Sequence, residues 1–325
     1  MARYILRRLG YIVFTLLIVS VILFSISKIM PGDPALMLVD GRKLRPEQFE
    51  IAYKAAREKL GLDEPVVVQY FSWLRTMVTG DFGWSTVTRL PVAQMAAAPL
   101  GNTVKLNIFG LIFTFIITIP LGIATAVRKG KVFDQAVQVV TIIGYSLPTF
   151  IFGLLFICLF GVIIPIFPIS GSGSIDTTLT GWAKTWADYR YMALPLIVYV
   201  FSSLGGITRY VRAAMIDALR MDYIRTARAK GLKEKVVIYS HAFRNSLIPF
   251  VTIFTGWFIS IFGGSVIIER TFNWNGIGNV LISSLMQQDY AVVLAFYSFY
   301  AVLSLAGNLI MDIGYCLVDP RVRLS

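Results

Sequence analysis

The sequence predicts an all-α, polytopic membrane protein with six transmembrane helices. Three observations carry this expectation. Of the 325 residues, 56% are hydrophobic, and the mean hydropathy is +0.71. Charged residues make up only 15%, against roughly 25% in soluble domains, so there is more apolar surface than one soluble core can hide. Charge-free runs near the length of about 20 residues needed to cross a bilayer recur six times, at Leu9–Ser27, Leu106–Val127, Gln135–Pro165, Tyr191–Thr208, Asn245–Ile268 and Tyr290–Met311.

The first run is preceded by Arg3, Arg7 and Arg8. It is too long for the core of a signal peptide, and Met30-Pro31-Gly32-Asp33-Pro34 follows it in place of a small-residue cleavage pattern, so an uncleaved span is expected. The segment to Pro99 is the main polar portion. Pro46–Leu60 reads as a helix with Gly61 as its C-terminal cap. Asp63 is placed to cap a second helix from near Pro65 to Val78. That helix carries Val66, Val67, Tyr70, Phe71, Trp73, Leu74, Met77 and Val78, a load suited to the membrane surface or to packing on an outer mouth. The second span has Gly110, Thr114, Thr118 and Gly122 on one face, and the fifth has Gly256, Ser260 and Gly264. Small residues four apart let neighbouring helices approach closely, or line a path. Pro148 is expected to kink the third span.

Basic residues orient the chain. With the N-terminus in the cytoplasm, that side receives Arg3, Arg7 and Arg8, then Arg128, Lys129 and Lys131, then a basic insert from Arg209 to Arg244, then Arg321 and Arg323. These are more than half of the 30 basic residues. The opposite side is nearly neutral, so the net charge of +12 reads as a topology signal and nucleic acid is not an expected partner. The two cysteines, Cys158 and Cys316, fall in apolar runs. Their spacing offers neither a disulfide framework nor a metal site, and both read as small buried hydrophobes.

The polar insert, Ile207–Pro249, lies between two apolar runs. Asp222 is placed to cap a helix over Tyr223–Lys230, Gly231 ends it, and Glu234–Phe243 forms a second helical stretch, giving an elbow. Its basic residues suit anionic lipid, at roughly 1 kcal/mol each near such a surface. Tyr223, Ile224, Ala227 and Ala229 form a small apolar patch suited to a groove in a partner. Catalytic chemistry is sparse. The sequence has no GxxxxGK[ST] phosphate loop, and its one histidine, His241, has no cysteine or carboxylate cluster beside it. No charge lies in the middle of a span, which argues against an ion-coupled carrier. Glu269 to Gly278 follows the fifth span. It reads as a loop anchored at the interface by Trp274, or as an outer gate or receptor contact built on Glu269, Phe272, Gly276 and Gly278.

The insert resembles the cytoplasmic "EAA" loop of ATP-binding-cassette importer permeases, with Arg225, Thr226, Ala227 and then Gly231 at the corresponding places. Arg in place of Glu, and His241-Ala242-Phe243-Arg244-Asn245 further on, resemble the dipeptide/oligopeptide/nickel branch, as does the whole of Asp222–Gly231. The resemblance extends over nearly the entire chain. It includes Pro31-Gly32-Asp33-Pro34, Gly61-Leu62-Asp63-Glu64-Pro65, Gly80-Asp81-Phe82-Gly83-Trp84-Ser85, Ser146-x-Pro148-x-Phe150, Glu269-x-x-Phe272 with Gly276-x-Gly278, and Asp319-Pro320-Arg321. The long segment after the first span is similar to that of the B-type subunit.

This resemblance implies a type I (MetI-like) importer fold with both termini cytoplasmic, in a prokaryotic cell membrane. Residues 1–30 would hold the N-terminus and first span, 31–99 an extracytoplasmic region, 100–318 the permease domain with a coupling loop at about 212–245, and 319–325 a tail. The implied partners are a C-type permease, two cytoplasmic ATP-binding subunits, an extracytoplasmic substrate-binding protein and the lipid bilayer. ATP and magnesium would be bound by the ATPases, so the chain itself would be non-catalytic and hold no cofactor. Asp222, Tyr223, Arg225, Thr226, Ala227, Arg228, Ala229 and Gly231 would couple it to an ATPase. The expected cargo is peptide, with nickel, glutathione or oligosaccharide as variants. A stand-alone secondary carrier is the alternative of another class, and the elbow argues against it.

Overall fold

Within a bilayer, backbone N–H and C=O groups must be satisfied inside the chain, which a helix does segment by segment. The computed structural model describes residues 2–30, 33, 35–36, 39, 45–173, 178–246, 257 and 260–318. Among these the architecture is helical, with one isolated antiparallel bridge between Trp84 and Pro91. The principal elements are α1 (Ala2–Ile29), α2 (Pro46–Lys59), α3 (Val66–Val78), α4 (Val92–Val127), α5 (Val132–Ser146), α6 (Thr149–Ile157), α7 (Gly181–Leu219), α8 (Asp222–Ala229), α9 (Val266–Thr271), α10 (Ile277–Met286) and α11 (Tyr290–Val318).

Among the described residues, four helices are long and apolar enough to cross a membrane: Leu6–Ile29 within α1, all of α4, all of α7, and Tyr290–Ile310 within α11. The pair Val132–Ser146 and Thr149–Ile163 makes a fifth if it is counted as one span. The expected span Asn245–Ile268 lies for half of its length outside the described residues, and Pro31, Gly32, Pro34, Gly256 and 319–325 lie outside them as well. The chain divides into two compact units, Met1–Leu100 with Val280–Ala306, and Gly101–Asn279 with Gly307–Ser325.

In the first unit, α3 packs on α1. Phe24 meets Tyr70 edge-on at 5.5 Å and Trp73 at 5.8 Å, and the Ser20 and Tyr70 hydroxyls lie 2.8 Å apart. Val66, Val67, Phe71 and Val78 stay exposed on the other face. Gly61 ends α2 at φ +62, as expected. Asp63 does not cap α3. The Gly61 turn carries it back beside Arg57, whose Nη2 donates to Asp63 at 2.6 Å, and Pro65 occupies the N-cap without a side-chain bond. The Gly80–Ser85 motif is held from far along the chain. Buried Asp289 accepts from Ser85 Oγ, and from Thr86 N and Oγ1 at 3.1 Å.

The helices outrun the charge-free segments. The second span begins as helix α4 at Val92, well before Leu106, because Lys105 interrupts the apolar run without interrupting a good helix-forming stretch. The helix α7 covers Gly181–Leu219, so the first part of the basic insert is a continuation of the fourth span. The third span is broken rather than kinked. Leu147 is extended at ψ 136, as a residue before proline prefers, and the two halves meet at 102°. The second half continues into a π-helical turn at Cys158–Ile163. Cys158 is exposed there, not buried.

The small residues of α4 are packing positions. A Cβ on Gly110 would lie 2.6 Å from the Tyr199 ring, and one on Gly122 would lie 2.7 Å from Val211. Thr114 and Thr118 between them are fully buried. Gly264 is not part of a helical stripe: it adopts φ +72 with Gly278 N against it. The close approach of α5 to α7 rests on Gly205, where a Cβ would lie 2.6 Å from the Thr141 carbonyl oxygen. Gly205→Ala therefore forces the two helices apart, at about 1–3 kcal/mol for overpacking, and lowers the thermal midpoint of the detergent-solubilised protein. Gly206→Ala leaves the midpoint unchanged, since nothing lies within 4 Å of that position.

Candidate functional site

The elbow grows out of the C-terminal end of α7. Arg220 closes that helix, and α8 starts at Asp222. Asp222 does not cap α8. Met221 is the N-cap, and Asp222 sits in the first turn, where a carboxylate favours the helix dipole, 3.5 Å from Arg225. Gly231 ends the elbow helix in the left-handed region at φ +71, the conformation glycine adopts without a Cβ penalty. Arg228 crosses the turn to Glu234, with Nη2 donating at 2.7 Å and Nε at 3.2 Å. That hydrogen bond holds the Glu234 carboxyl below its usual pKa. Glu234–Val236 then runs into a π-helix over Val237–Phe243.

Burial divides the expected coupling residues into two faces. Ile224 and Ala227 are sealed inside a core with Ile123 and Ala126 of α4, Val211, Met215 and Ala218 of α7, and Val237 and Ala242 of the π-helix. These two are unavailable to a partner, which corrects the expected apolar patch. Asp222, Tyr223, Arg225, Thr226, Arg228 and Ala229 lie on the exposed side. The chain returns to α7 at Ser246, whose Oγ lies 3.4 Å from Met215 Sδ.

An ion pair sits at the root of the elbow. Asp134, in the first turn of α5, is 1% exposed. Arg212 grips it with two bonds, Nε to Oδ1 at 2.7 Å and Nη2 to Oδ2 at 2.8 Å. Gly130 N and Gln138 Nε2 donate to the remaining lone pairs at 2.9 and 3.0 Å.

The second candidate cluster, around Glu269, is a buried knot. Glu269, Phe272, Trp274 and Ile277 are each at most 1% exposed, so Glu269 and Phe272 present no side chain to a receptor. Trp274 is no interfacial anchor, since its Nε1 donates to the Asn102 carbonyl at 3.2 Å. Thr103 Oγ1 accepts from Ile277 N at 2.8 Å and donates to Glu269 Oε1 at 2.8 Å, while Asn279 N donates to Oε2 at 3.0 Å. The carboxylate thus binds the N-terminal N–H groups of α10, where the helix dipole favours an anion. Gly276 and Gly278 serve this knot, because a Cβ on Gly276 would lie 2.4 Å from the Glu269 carboxyl carbon and one on Gly278 2.9 Å from Oε2. Sequence reasoning missed Asp134, Asn102 and Thr103, whose partners lie far along the chain.

Several membrane-crossing helices, one of them extended into a sealed polar elbow, define a polytopic α-helical membrane protein. The model for the inner membrane component of binding-protein-dependent transport systems matches residues 118–324, and the model for the N-terminal part of such components matches 1–97. The chain belongs to this family of transport permeases. It is 38% identical over 99% of its length to the whole of the oligopeptide transport system permease protein AppB of Bacillus subtilis (strain 168). It is 37% identical, over all of both chains, to the dipeptide transport system permease protein DppB of Lactococcus lactis subsp. cremoris (strain MG1363). It is 33% identical over 99% of both chains to the glutathione transport system permease protein GsiC of Salmonella typhi. Among solved structures, an inward-facing form of the MetNI methionine ABC transporter has a similar fold, with TM-score 0.50 at 17% identity over 67% of this chain and 94% of that one.

The inner face of α8 gives a direct test. Ile224→Ala removes buried methyl groups, at about 2–5 kcal/mol, and loosens the elbow from α7. Limited trypsin digestion then cuts at Arg225, Arg228 or Lys230 faster than in the unsubstituted protein. Thr226→Ala, on the exposed face, leaves the cleavage rate unchanged.

Proposed function

We propose that this chain is the B-type permease subunit of an ATP-driven, binding-protein-dependent importer of di- and oligopeptides in a prokaryotic cell membrane. The observation that carries the coupling role is the division of α8. Its inner face is locked to α7 and its outer face, Tyr223, Arg225, Thr226 and Ala229, is bare. A surface so fixed to a spanning helix can pass a push from a cytoplasmic partner into the membrane.

In this reading the chain forms half of the translocation path with a C-type permease. Two cytoplasmic ATPases hold ATP and magnesium, and an extracytoplasmic binding protein delivers the cargo. The chain is non-catalytic and holds no cofactor of its own. ATP and the loaded receptor bias one two-state equilibrium, and a full reversal from 1:99 to 99:1 takes about 5.5 kcal/mol of differential binding. Peptide as cargo is supported by the full-length similarity to permeases named for oligopeptides and dipeptides. The similarity to a glutathione permease makes glutathione, itself a tripeptide, the second reading.

The test is uptake by proteoliposomes holding this chain, its partner permease, the ATPases and the binding protein. A radiolabelled dipeptide mixture accumulates only with ATP, and excess unlabelled glutathione does not compete. Thr226→Trp abolishes ATPase co-purification while the chain still inserts. Uptake by the chain alone without ATP contradicts the reading.

A further inference from the structure

The helices α5 and α7 run antiparallel and meet at three levels. Gly144 approaches the Phe201 carbonyl oxygen, with 3.1 Å for a Cβ there, and Gly205 approaches Thr141 and Tyr145. At the elbow end, Asp134 meets Arg212. The levels are in register: seven residues back along α5, from Thr141 to Asp134, match seven forward along α7, from Gly205 to Arg212. The upper two contacts are close approaches of small residues and are nearly featureless chemically. Only the third carries charge. It lies beside the core that seals the inner face of α8, because Val211 and Met215 of that core flank Arg212 in sequence.

We infer that the Asp134–Arg212 pair is a positioning lock that makes α5 move as one body with the coupling elbow. The inference rests on the proposed coupling to an ATPase and adds to it the route by which movement enters the third span. A buried ion pair adds little stability over an apolar pair of similar shape, but losing one partner strands the other charge without compensation. Sliding or turning α5 against α7 therefore breaks both bonds to Arg212 at once, while Gly130 N and Gln138 Nε2, which are local to α5, fix the carboxylate on that helix and keep it from following Arg212. Glycine contacts alone do not resist such a slide in this way. Movement of α8 passes through its core to α7, across the ion pair to α5, and so to the 102° break at Leu147–Pro148. The break is where the rigid path ends, since the residue before Pro148 is extended and carries no helix across it.

The experiment uses the chain in complex with its partner permease and ATPases, with Cys158→Ser and Cys316→Ser. Spin labels are placed through Val139→Cys on the exposed side of α5 and Lys233→Cys beyond Gly231 in the elbow. Pulsed dipolar spectroscopy reads their separation in nucleotide-free complex and after trapping with ATP and vanadate. With the native pair, the distribution is narrow and has the same mean in both states. With Asp134→Asn or Arg212→Gln, it broadens and its mean shifts between the states. The exchange Asp134→Arg with Arg212→Asp restores a narrow, state-independent distribution.

A native distribution that itself shifts with nucleotide overturns the inference, as do single variants as narrow as the native protein. Loss of the ATPases from both single variants and from the exchange reduces the pair to a folding element and also overturns it. Failure of the underlying functional reading is seen separately, as an unsubstituted chain that carries no ATPase.

Discussion

A helix of eight residues does not hold itself together in water, since isolated helices shorter than roughly 12 residues are marginal. The helix α8 exists because Ile224 and Ala227 are taken into a core with the ends of α4 and α7 and the π-helical stretch. The rest of the elbow follows from that burial. Gly231 turns the chain at positive φ so that Val237 and Ala242 can reach the same core, and Ser246 brings it back beside Met215. The polar residues are left outside because the inner positions are already filled. An element so short becomes rigid only by being welded to a membrane-crossing helix, and this makes it suitable for transmitting force.

The buried carboxylates among the described residues share one design. Asp134, Glu269 and Asp289 are all buried acids, and backbone N–H groups donate to each of them. Asp134 is paired with an arginine, whereas Glu269 is met by a hydroxyl and the N-terminus of α10. Each joins segments that are distant in sequence, and each sits at or beyond the end of an apolar run. A buried carboxylate with its lone pairs filled fixes a geometry that apolar contacts leave free to slide.

Much of this was legible in the sequence. The all-helical membrane class followed from charge-free runs, and the elbow boundaries from Gly231 and the polar insert. The limits of legibility are equally physical. A charge ends an apolar run without ending a helix, so Lys105 and Arg209 hid the true lengths of α4 and α7. Pro148 announced a distortion, but its size depends on what packs around the two halves. Periodicity placed Ala227 and Ile224 on one patch correctly and gave no sign that the patch faces inward, because the covering residues belong to α4, α7 and a π-helix elsewhere in the chain. Trp274 read as an interfacial anchor, since nothing local reveals Asn102 as its partner.

The most direct measurement is an electron cryomicroscopy reconstruction of this chain in the complex it forms in its own membrane. The account predicts Tyr223, Thr226 and Ala229 covered by an ATPase subunit, with Ile224 and Ala227 still seated on Met215 and Ala218. A complex that contains ATPases but leaves the outer face of α8 bare would contradict it, as would one in which Ile224 and Ala227 have left α7 for the partner.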